Sequence, residues 1–163
     1  MKILGIDPGL QKTGWGIVQS EGNRLSYVAS GLIRTTKSLS FPDRLAQLHK
    51  GMSDVIEQFK PDEAGIEETF VNSNSSSSLK LGAARGVVMV VPANAGLYVG
   101  EYAANKVKKS VVGAGKARKD QVGMMIRTLL PACGDVTEDE ADALAVAICH
   151  AHYAHDRNLL KTG

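Results

Sequence analysis

The sequence predicts an α/β domain built on a mixed β-sheet, and three observations lead to that class. Short apolar runs with β-branched residues alternate with longer segments whose apolar residues recur every three or four positions. The predicted order of elements is three strands, a helix, a strand, a helix, a strand and two helices, as expected for a sheet with crossover helices. The 163 residues fit a single domain, 1–156, followed by a short tail, 157–163, that we expect to be flexible.

The first three strands are predicted to form a meander. Residues 3–7 are a short apolar run that ends at a Pro-Gly pair, which favours a tight turn. Residues 14–20 and 24–33 have the composition of two further strands. Gly22 and Asn23 between them are typical of a hairpin turn.

A helix and a parallel strand follow the meander. Residues 43–59 carry one apolar stripe at helical spacing, and Pro61 follows the end of that stripe. Residues 63–67 then form a short strand. Because a helix separates this strand from the meander, the connection is a crossover and the strand should pair in parallel.

The middle of the chain combines a polar tract with a glycine-containing helix. Residues 71–78 are rich in Ser and Asn, which predicts a mobile loop. Residues 79–91 are predicted to be a buried helix that Pro92 ends or kinks. Gly82 and Gly86 share one face of it, where they either permit close packing, including packing against a second subunit, or are simply tolerated.

The last predicted elements are one strand and two helices. The strand covers residues 97–102, and the helices cover 117–130 and 138–154. Thr137 and Glu140 have the spacing of a capping box at the start of the final helix.

Charge and composition set limits on location and partners. The net charge of +2 permits nucleic-acid binding without arguing for it. Seven basic residues and one acid lie between Lys106 and Arg127, so this stretch is either a phosphate-contacting surface or a solvated basic face. No apolar run approaches the ~18 residues of a membrane span, and the N-terminus lacks the features of a signal peptide. We therefore expect a cytoplasmic protein without a membrane partner.

Acidic residues stand at the ends of two strands that are predicted to be parallel. Asp7 ends an apolar strand, where a buried carboxylate needs a partner or a metal, although an Asx-turn before Pro-Gly explains it equally well. Glu67 and Glu68 close the later strand. Because side chains alternate along a strand, only one of these two glutamates can face the same site as Asp7.

Two more acids share one face of the last helix. Asp139 and Asp142 are three residues apart in its first turns, where the helix dipole alone would favour negative charge. Asp142, however, lies in an alanine-rich stretch that otherwise indicates core packing. Taken together, the strand-end and helix acids could converge on a site for hard cations such as Mg²⁺, which prefer oxygen ligands.

The succession of motifs resembles the RuvC family of bacterial Holliday-junction resolvases. The similarity runs in order through ILGIDPGLQKTGWGIV, LSYVASGLIRT, IEETF, SLKLGAARGVV, EYAANKVKKSVVG, KDQVGMMIRTLL and DEADALAVAICHAH, and it covers nearly the whole chain. The resemblance implies a ribonuclease-H-like fold with a five-stranded mixed sheet flanked by helices. It also implies a homodimer with two active sites.

The resemblance implies specific site residues. The family's catalytic and metal-binding carboxylates fall on Asp7, Glu67, Asp139 and Asp142. Its DNA-contacting positions fall on Lys108 and Lys119, together with Phe70 as an aromatic that stacks on junction bases. The implied cofactor is two Mg²⁺ ions per active site, for which Mn²⁺ can substitute.

The implied function is Mg²⁺-dependent resolution of four-way junction DNA by paired symmetric cleavage during recombination and repair, alongside the RuvA–RuvB branch-migration complex. Two alternatives stay open on sequence grounds. One is a non-catalytic protein that binds four-way junctions. The other is a phosphotransferase of the actin/hexokinase type, whose phosphate loop uses a turn similar to GIDPGLQKTG, although such proteins need two such domains.

Overall fold

The chain folds into one five-stranded mixed sheet with helices on both faces, which confirms the predicted fold class. The structure is a computed structural model that describes residues 1–69, 74–113, 115 and 117–161. The elements are β1 (Lys2–Asp7), β2 (Lys12–Glu21), β3 (Arg24–Arg34), α1 (Phe41–Phe59), β4 (Glu63–Glu67), α2 (Ser75–Asn94), β5 (Tyr98–Tyr102), α3 (Ala104–Val112), α4 (Lys119–Leu129), a 3₁₀ turn (Pro131–Cys133) and α5 (Glu138–Lys161).

The strand order is β3-β2-β1-β4-β5. The first three strands form the predicted antiparallel meander, and β4 pairs in parallel with β1 and with β5. Ile6 of β1 lies opposite Ile66 of β4. If this register is continued by one residue, Asp7 and Glu67 stand side by side where the two strands end.

Each face of the sheet covers its own hydrophobic core. Alternate residues of a strand point to opposite faces, so Leu4 and Ile6 pack against α1 and α2 while Ile3 packs against α5. The layer over the second face also contains α3 and α4, which contribute Val107 and Val122 to that core. The two helix layers therefore flank the ends of β1 and β4 from opposite sides.

Helix α5 approaches the sheet very closely because glycines lie beneath it. A Cβ added to Gly5 would stand 1.9 Å from the carbonyl oxygen of Ala143, and one added to Gly14 would stand 2.3 Å from that of Asp139. No side chain can occupy either position with the helix where it is. The glycines thus place the first turns of α5 directly beside the end of β1.

The two ends of the α5 contact with the sheet are fixed by polar groups. At the first, Thr137 and Glu140 form the predicted capping box, with the Thr137 N–H donating to Glu140 Oε2 at 2.9 Å and the Glu140 N–H donating to Thr137 Oγ1 at 3.3 Å. At the second, buried His150 lies 2.7 Å from Glu63 Oε2 through Nε2 and 3.0 Å from the Tyr102 hydroxyl through Nδ1. Burial lowers the pKa of His150, so the neutral ring fits as donor to Glu63 and acceptor from Tyr102.

The helices differ from the sequence-based expectations in three ways. Residues 75–78 belong to α2 and not to a loop, because the Asn74 side chain accepts from the Ser77 N–H at 3.2 Å and caps the helix. Pro92 does not end α2, which continues to Asn94. Helix α3 was not predicted at all; it spans little more than two turns and has no side-chain cap at Ala103, so its signal is short.

The final helix extends beyond its predicted end at residue 154. Helix α5 continues to Lys161, and Arg157 lies 2.5 Å from Glu63 Oε2. The division into a domain of 1–156 and a flexible tail of 157–163 stays a prediction. Across the part of the chain that is described, no helix combines the length and apolar character needed to cross a bilayer.

We predict that Gly5→Ala destabilises the protein by about 3 kcal/mol or more, because the new methyl group collides with the backbone of α5. Gly123→Ala on α4 is the matched control, since its Cβ would meet only the end of the Arg127 side chain at 3.8 Å. That control should gain about 0.5–1 kcal/mol from helix propensity. Urea unfolding of both variants measures the difference, and equal stabilities would contradict the close contact.

Candidate active site

The four predicted carboxylates lie together at the edge of the sheet where β1 and β4 end. Asp7 is the last residue of β1 and Glu67 the last of β4, while Asp139 and Asp142 are in the first turns of α5. All four line one cavity of about 740 Å³. Carboxylates that are 135 positions apart along the chain, from 7 to 142, are thus brought to one wall.

Strand alternation selects Glu67 over its neighbour Glu68. A Cβ added to Gly65 would face His150 and Val146 of α5, so Glu67, two residues later, points to the same face. Glu68 lies outside the strand, and its N–H donates to the Tyr102 carbonyl at 2.8 Å. It does not line the cavity.

Asp7 carries the strongest electrostatic perturbation in the site. Burial, followed by the negative charges of Glu67, Asp142 and Asp139, raises the pKa of Asp7 to about 8. A hydrogen bond with Glu67 raises the pKa of Asp7 and lowers that of Glu67, so the shared proton resides on Asp7 and is donated to Glu67. The site therefore disfavours a full set of ionised acids in the absence of a compensating cation.

The pKa values of Glu67 and Asp142 are also raised. Burial and then the charge of Asp142 raise the pKa of Glu67, against the opposing effects of Asp7, Lys108 and Lys119. Burial raises the pKa of Asp142, and the positive charge of Lys119 opposes that rise. Lys108 and Lys119 thus act on the acids at a distance, which requires that both lysines stand near the site.

Two ion pairs form at the rim of the cavity. Lys12 Nζ lies 2.7 Å from Asp139 Oδ2. Lys119 pairs with Glu138, and that hydrogen bond is the main cause of the raised pKa of Lys119. Both lysines are substantially exposed, so these pairs are weak and can exchange partners.

The donor set fits a hard divalent cation. Every candidate ligand is a carboxylate oxygen, and the mutual repulsion between half-buried acids is the condition that a divalent cation would relieve. Within the described ranges, no three His, Cys, Asp or Glu side chains are already arranged to hold one ion. Asp139 Oδ2 is engaged by Lys12 and would have to leave that ion pair to bind a cation.

The predicted DNA-contacting residues divide into two groups. Lys108 on α3 and Lys119 at the start of α4 both line the cavity. Phe70 lies outside the described residues. Three further basic residues line the cavity but were not predicted: Lys12, Arg44 and Lys80. Lys12 begins β2, whereas the positions of Arg44 and Lys80 depend on how α1 and α2 pack, and local sequence spacing carries no signal for that packing.

Comparisons with known proteins identify the family. The sequence profile of crossover junction endodeoxyribonuclease RuvC matches residues 3–150. The chain belongs to the RuvC family of crossover junction endodeoxyribonucleases. The RuvC of Paramagnetospirillum magneticum is 63% identical over 153 residues, which make up 94% of this chain and 92% of that protein.

Solved structures agree with this family assignment. The RuvC of Thermus thermophilus, solved in complex with Holliday junction substrate, is 31% identical, covers 94% of each chain and has a TM-score of 0.87. The yeast mitochondrial Holliday junction resolvase Ydc2, at 14% identity and a TM-score of 0.67, shares the fold. The RuvC-type, ribonuclease-H-like fold is therefore confirmed, and the activity is that of a crossover junction endodeoxyribonuclease, a Holliday junction resolvase. Membership of the RuvC family decides against the phosphotransferase alternative.

We predict that Asp7→Asn raises the stability of the metal-free protein at neutral and alkaline pH. The pKa of Asp7 is about 8 in the folded chain and near 4 when unfolded, so the free energy of unfolding of the parent protein falls as pH rises through that window. The amide cannot ionise and avoids this loss, so the gain should reach about 3–5 kcal/mol at pH 8.

Urea unfolding in EDTA at pH 4, 6 and 8 measures this gain. The two proteins should differ least at pH 4 and most at pH 8. A difference that does not change with pH would mean that Asp7 is not held in its acid form by its surroundings.

Proposed function

We propose that Asp7, Glu67, Asp139 and Asp142 bind two Mg²⁺ ions and that the enzyme resolves junctions by paired, symmetric phosphodiester hydrolysis. The observation that carries this proposal is the position of Asp7, which is buried beside three other acids in one cavity, and its raised pKa agrees with that setting. When bound, two such ions lower the pKa of the attacking water and stabilise the leaving 3′-oxygen. The products would be 5′-phosphate and 3′-hydroxyl ends.

The chain's own residues prepare the site for cations and substrate. Asp7 gives up the proton that it shares with Glu67, and Asp139 releases Lys12. In each exchange a divalent ion would take the place of an internal partner. Lys108 and Lys119 then face the phosphate backbone, where their charges position the strand and offset the developing negative charge. Mn²⁺ should replace Mg²⁺ because it also accepts carboxylate ligands in octahedral geometry.

The substrate is four-way junction DNA, by membership of a family whose Thermus thermophilus member was solved with Holliday junction substrate. Phe70, which follows Glu67 by three residues, is proposed to stack on a junction base, an interaction worth about 1–3 kcal/mol. A contact with the RuvA–RuvB branch-migration complex is proposed on family membership alone.

We propose that α2 forms the homodimer interface. Leu79 and Val90 are exposed on α2 by 76% and 43%, and a Cβ on Gly82 or Gly86 would meet no atom within 4 Å. These four residues fall at steps of three and four, so they make one stripe. The packing within the described part of the chain does not require glycine at either position. Close crossing with a second copy of α2 would require it.

The proposed mechanism is tested by measuring cleavage of a synthetic four-way junction with Mg²⁺ and with EDTA. The variants compared are Asp7→Asn, Glu67→Gln and Glu68→Gln. Asp7→Asn and Glu67→Gln should each reduce cleavage at least about a thousandfold, because each removes a cation ligand. Junction binding by Asp7→Asn should stay within about threefold of the parent protein. Glu68→Gln, which changes the neighbouring acid outside the cavity, should cleave normally.

Two outcomes would count against the nuclease mechanism. If Asp7→Asn lost binding and cleavage in equal measure, its role would be structural. If the parent protein nicked junctions equally well with Mg²⁺ and with EDTA, cleavage would not depend on a divalent cation and the proposed metal site would be wrong.

The dimer prediction uses Gly82→Glu, which places a charged side chain on the α2 stripe without disturbing the packing within one chain. The variant should sediment as a monomer at concentrations where the parent protein is a dimer. Gly123→Glu on α4 introduces the same charge away from the stripe and should stay dimeric. A dimeric Gly82→Glu variant would place the interface elsewhere.

A further inference from the structure

The cavity that holds the acids has basic residues on both sides, and only one side has an assigned role. Lys108 and Lys119 come from the helix layer that contains α3, α4 and α5. Arg44 of α1 and Lys80 of α2 reach the cavity from the opposite helix layer. The edge of the sheet, with Asp7 and Glu67, lies between the two layers.

We propose that Arg44 is a substrate-binding residue that binds a backbone phosphate next to the scissile phosphate. This inference rests on the proposed nuclease function. A strand laid across the acidic edge would meet Lys108 and Lys119 on one side and Arg44 on the other. Arg44 would thus fix the register of the backbone relative to Asp7. This role is distinct from the chemistry assigned to the carboxylates.

Arg44 is tied to the loop that follows the catalytic strand. Its Nε donates to Thr35 Oγ1 at 3.0 Å, and Thr35 Oγ1 donates to the Leu10 carbonyl at 2.7 Å. The Thr35 N–H donates to the Gln11 carbonyl at 3.0 Å. The guanidinium is therefore held against the turn that begins directly after Asp7, and a phosphate bound by it would be positioned with respect to that acid.

Arg44 also lacks an acidic partner. Among the described residues, no carboxylate lies within ion-pair distance of it, and its Nη2 is buried without a hydrogen-bond partner. Two other basic residues at or near the cavity are paired, Lys12 with Asp139 and Arg85 with Glu101. A partly buried guanidinium without an acid is costly unless an anion completes its hydrogen bonds.

A phosphate can accept the hydrogen bonds that the Arg44 guanidinium does not make within the chain. With Nε engaged by Thr35, the terminal nitrogens still present donors in a planar fork, and this fork fits two phosphate oxygens. The half-buried setting strengthens the contact because water competes less for the donors. A lysine could supply the charge at this position but not the fork.

The experiment measures junction binding by fluorescence anisotropy in EDTA, over a series of KCl concentrations, so that no cleavage occurs. Arg44→Gln should raise the Kd about five- to tenfold at low salt and reduce the slope of log K against log salt by about one, because one phosphate contact is lost. Arg44→Lys should retain the slope and still bind about threefold more weakly than the parent protein. Lys108→Ala is the comparator for a phosphate contact on the opposite side.

Two controls separate a phosphate contact from a structural role. Arg24→Gln removes an exposed arginine at the start of β3, at the opposite end of the sheet, and should bind as the parent protein does. Thr35→Val removes the acceptor of the Arg44 Nε bond but keeps the charge, so the slope should be retained. If Thr35→Val reproduced both the Kd and the slope of Arg44→Gln, Arg44 would act only by fastening the loop and the proposal would be overturned.

The outcome for Arg44 is independent of the outcome for the nuclease mechanism. Normal binding and an unchanged slope for Arg44→Gln, beside a weakened Lys108→Ala, would overturn the Arg44 proposal while Mg²⁺-dependent cleavage stood. Absence of Mg²⁺-dependent cleavage by the parent protein would overturn the nuclease mechanism instead. If Arg44→Gln did not fold, Arg44→Lys would decide: weaker binding with a retained slope supports the contact, and unchanged binding overturns it.

Discussion

The close approach of α5 to β1 and β2 is the contact on which the site depends. Gly5 and Gly14 have no side chain where the backbone of α5 contacts the sheet, and any larger residue would push the helix outward. Since Asp139 and Asp142 are on that helix, a shift of the helix would move them away from Asp7. Helix position, and not local chain geometry, thus determines whether the acids act on one another.

Electrostatic repulsion between the acids is a second constraint, and it opposes the close packing of α5 on the sheet. Packing α5 against the sheet buries Asp7 beside Glu67, and the free protein responds by retaining a proton between them. The acid cluster is therefore a source of instability that the hydrophobic cores on both faces of the sheet must offset. Under the proposed function, a divalent cation bound here would remove a repulsion that folding has already imposed.

Physical rules predicted the sheet and placed Asp7 and the Glu67–Glu68 pair at the ends of two parallel strands, but they did not choose between the two glutamates or show that the acids meet. Hairpin chemistry and a crossover helix gave the strand pairing, and this pairing places Asp7 beside Glu67. The approach of Asp139 and Asp142 depends on tertiary docking, for which periodicity carries no distance information, so family resemblance was needed. The position of Arg44 depends on long-range packing of α1 in the same way, and the resemblance did not point to it.

The two helix layers explain how an acidic centre can accept an anionic substrate. The cavity wall carries five basic side chains against the four carboxylates, so even with every acid ionised it has an excess of one positive charge. Each divalent cation would add to that excess, and the potential that draws in a phosphodiester backbone would rise with metal occupancy. Because the basic residues come from both layers, and Asp7 and Glu67 from the sheet edge between them, a strand that contacts both basic sets would cross the acids. The same arrangement that attracts DNA therefore also places its backbone over the ligands.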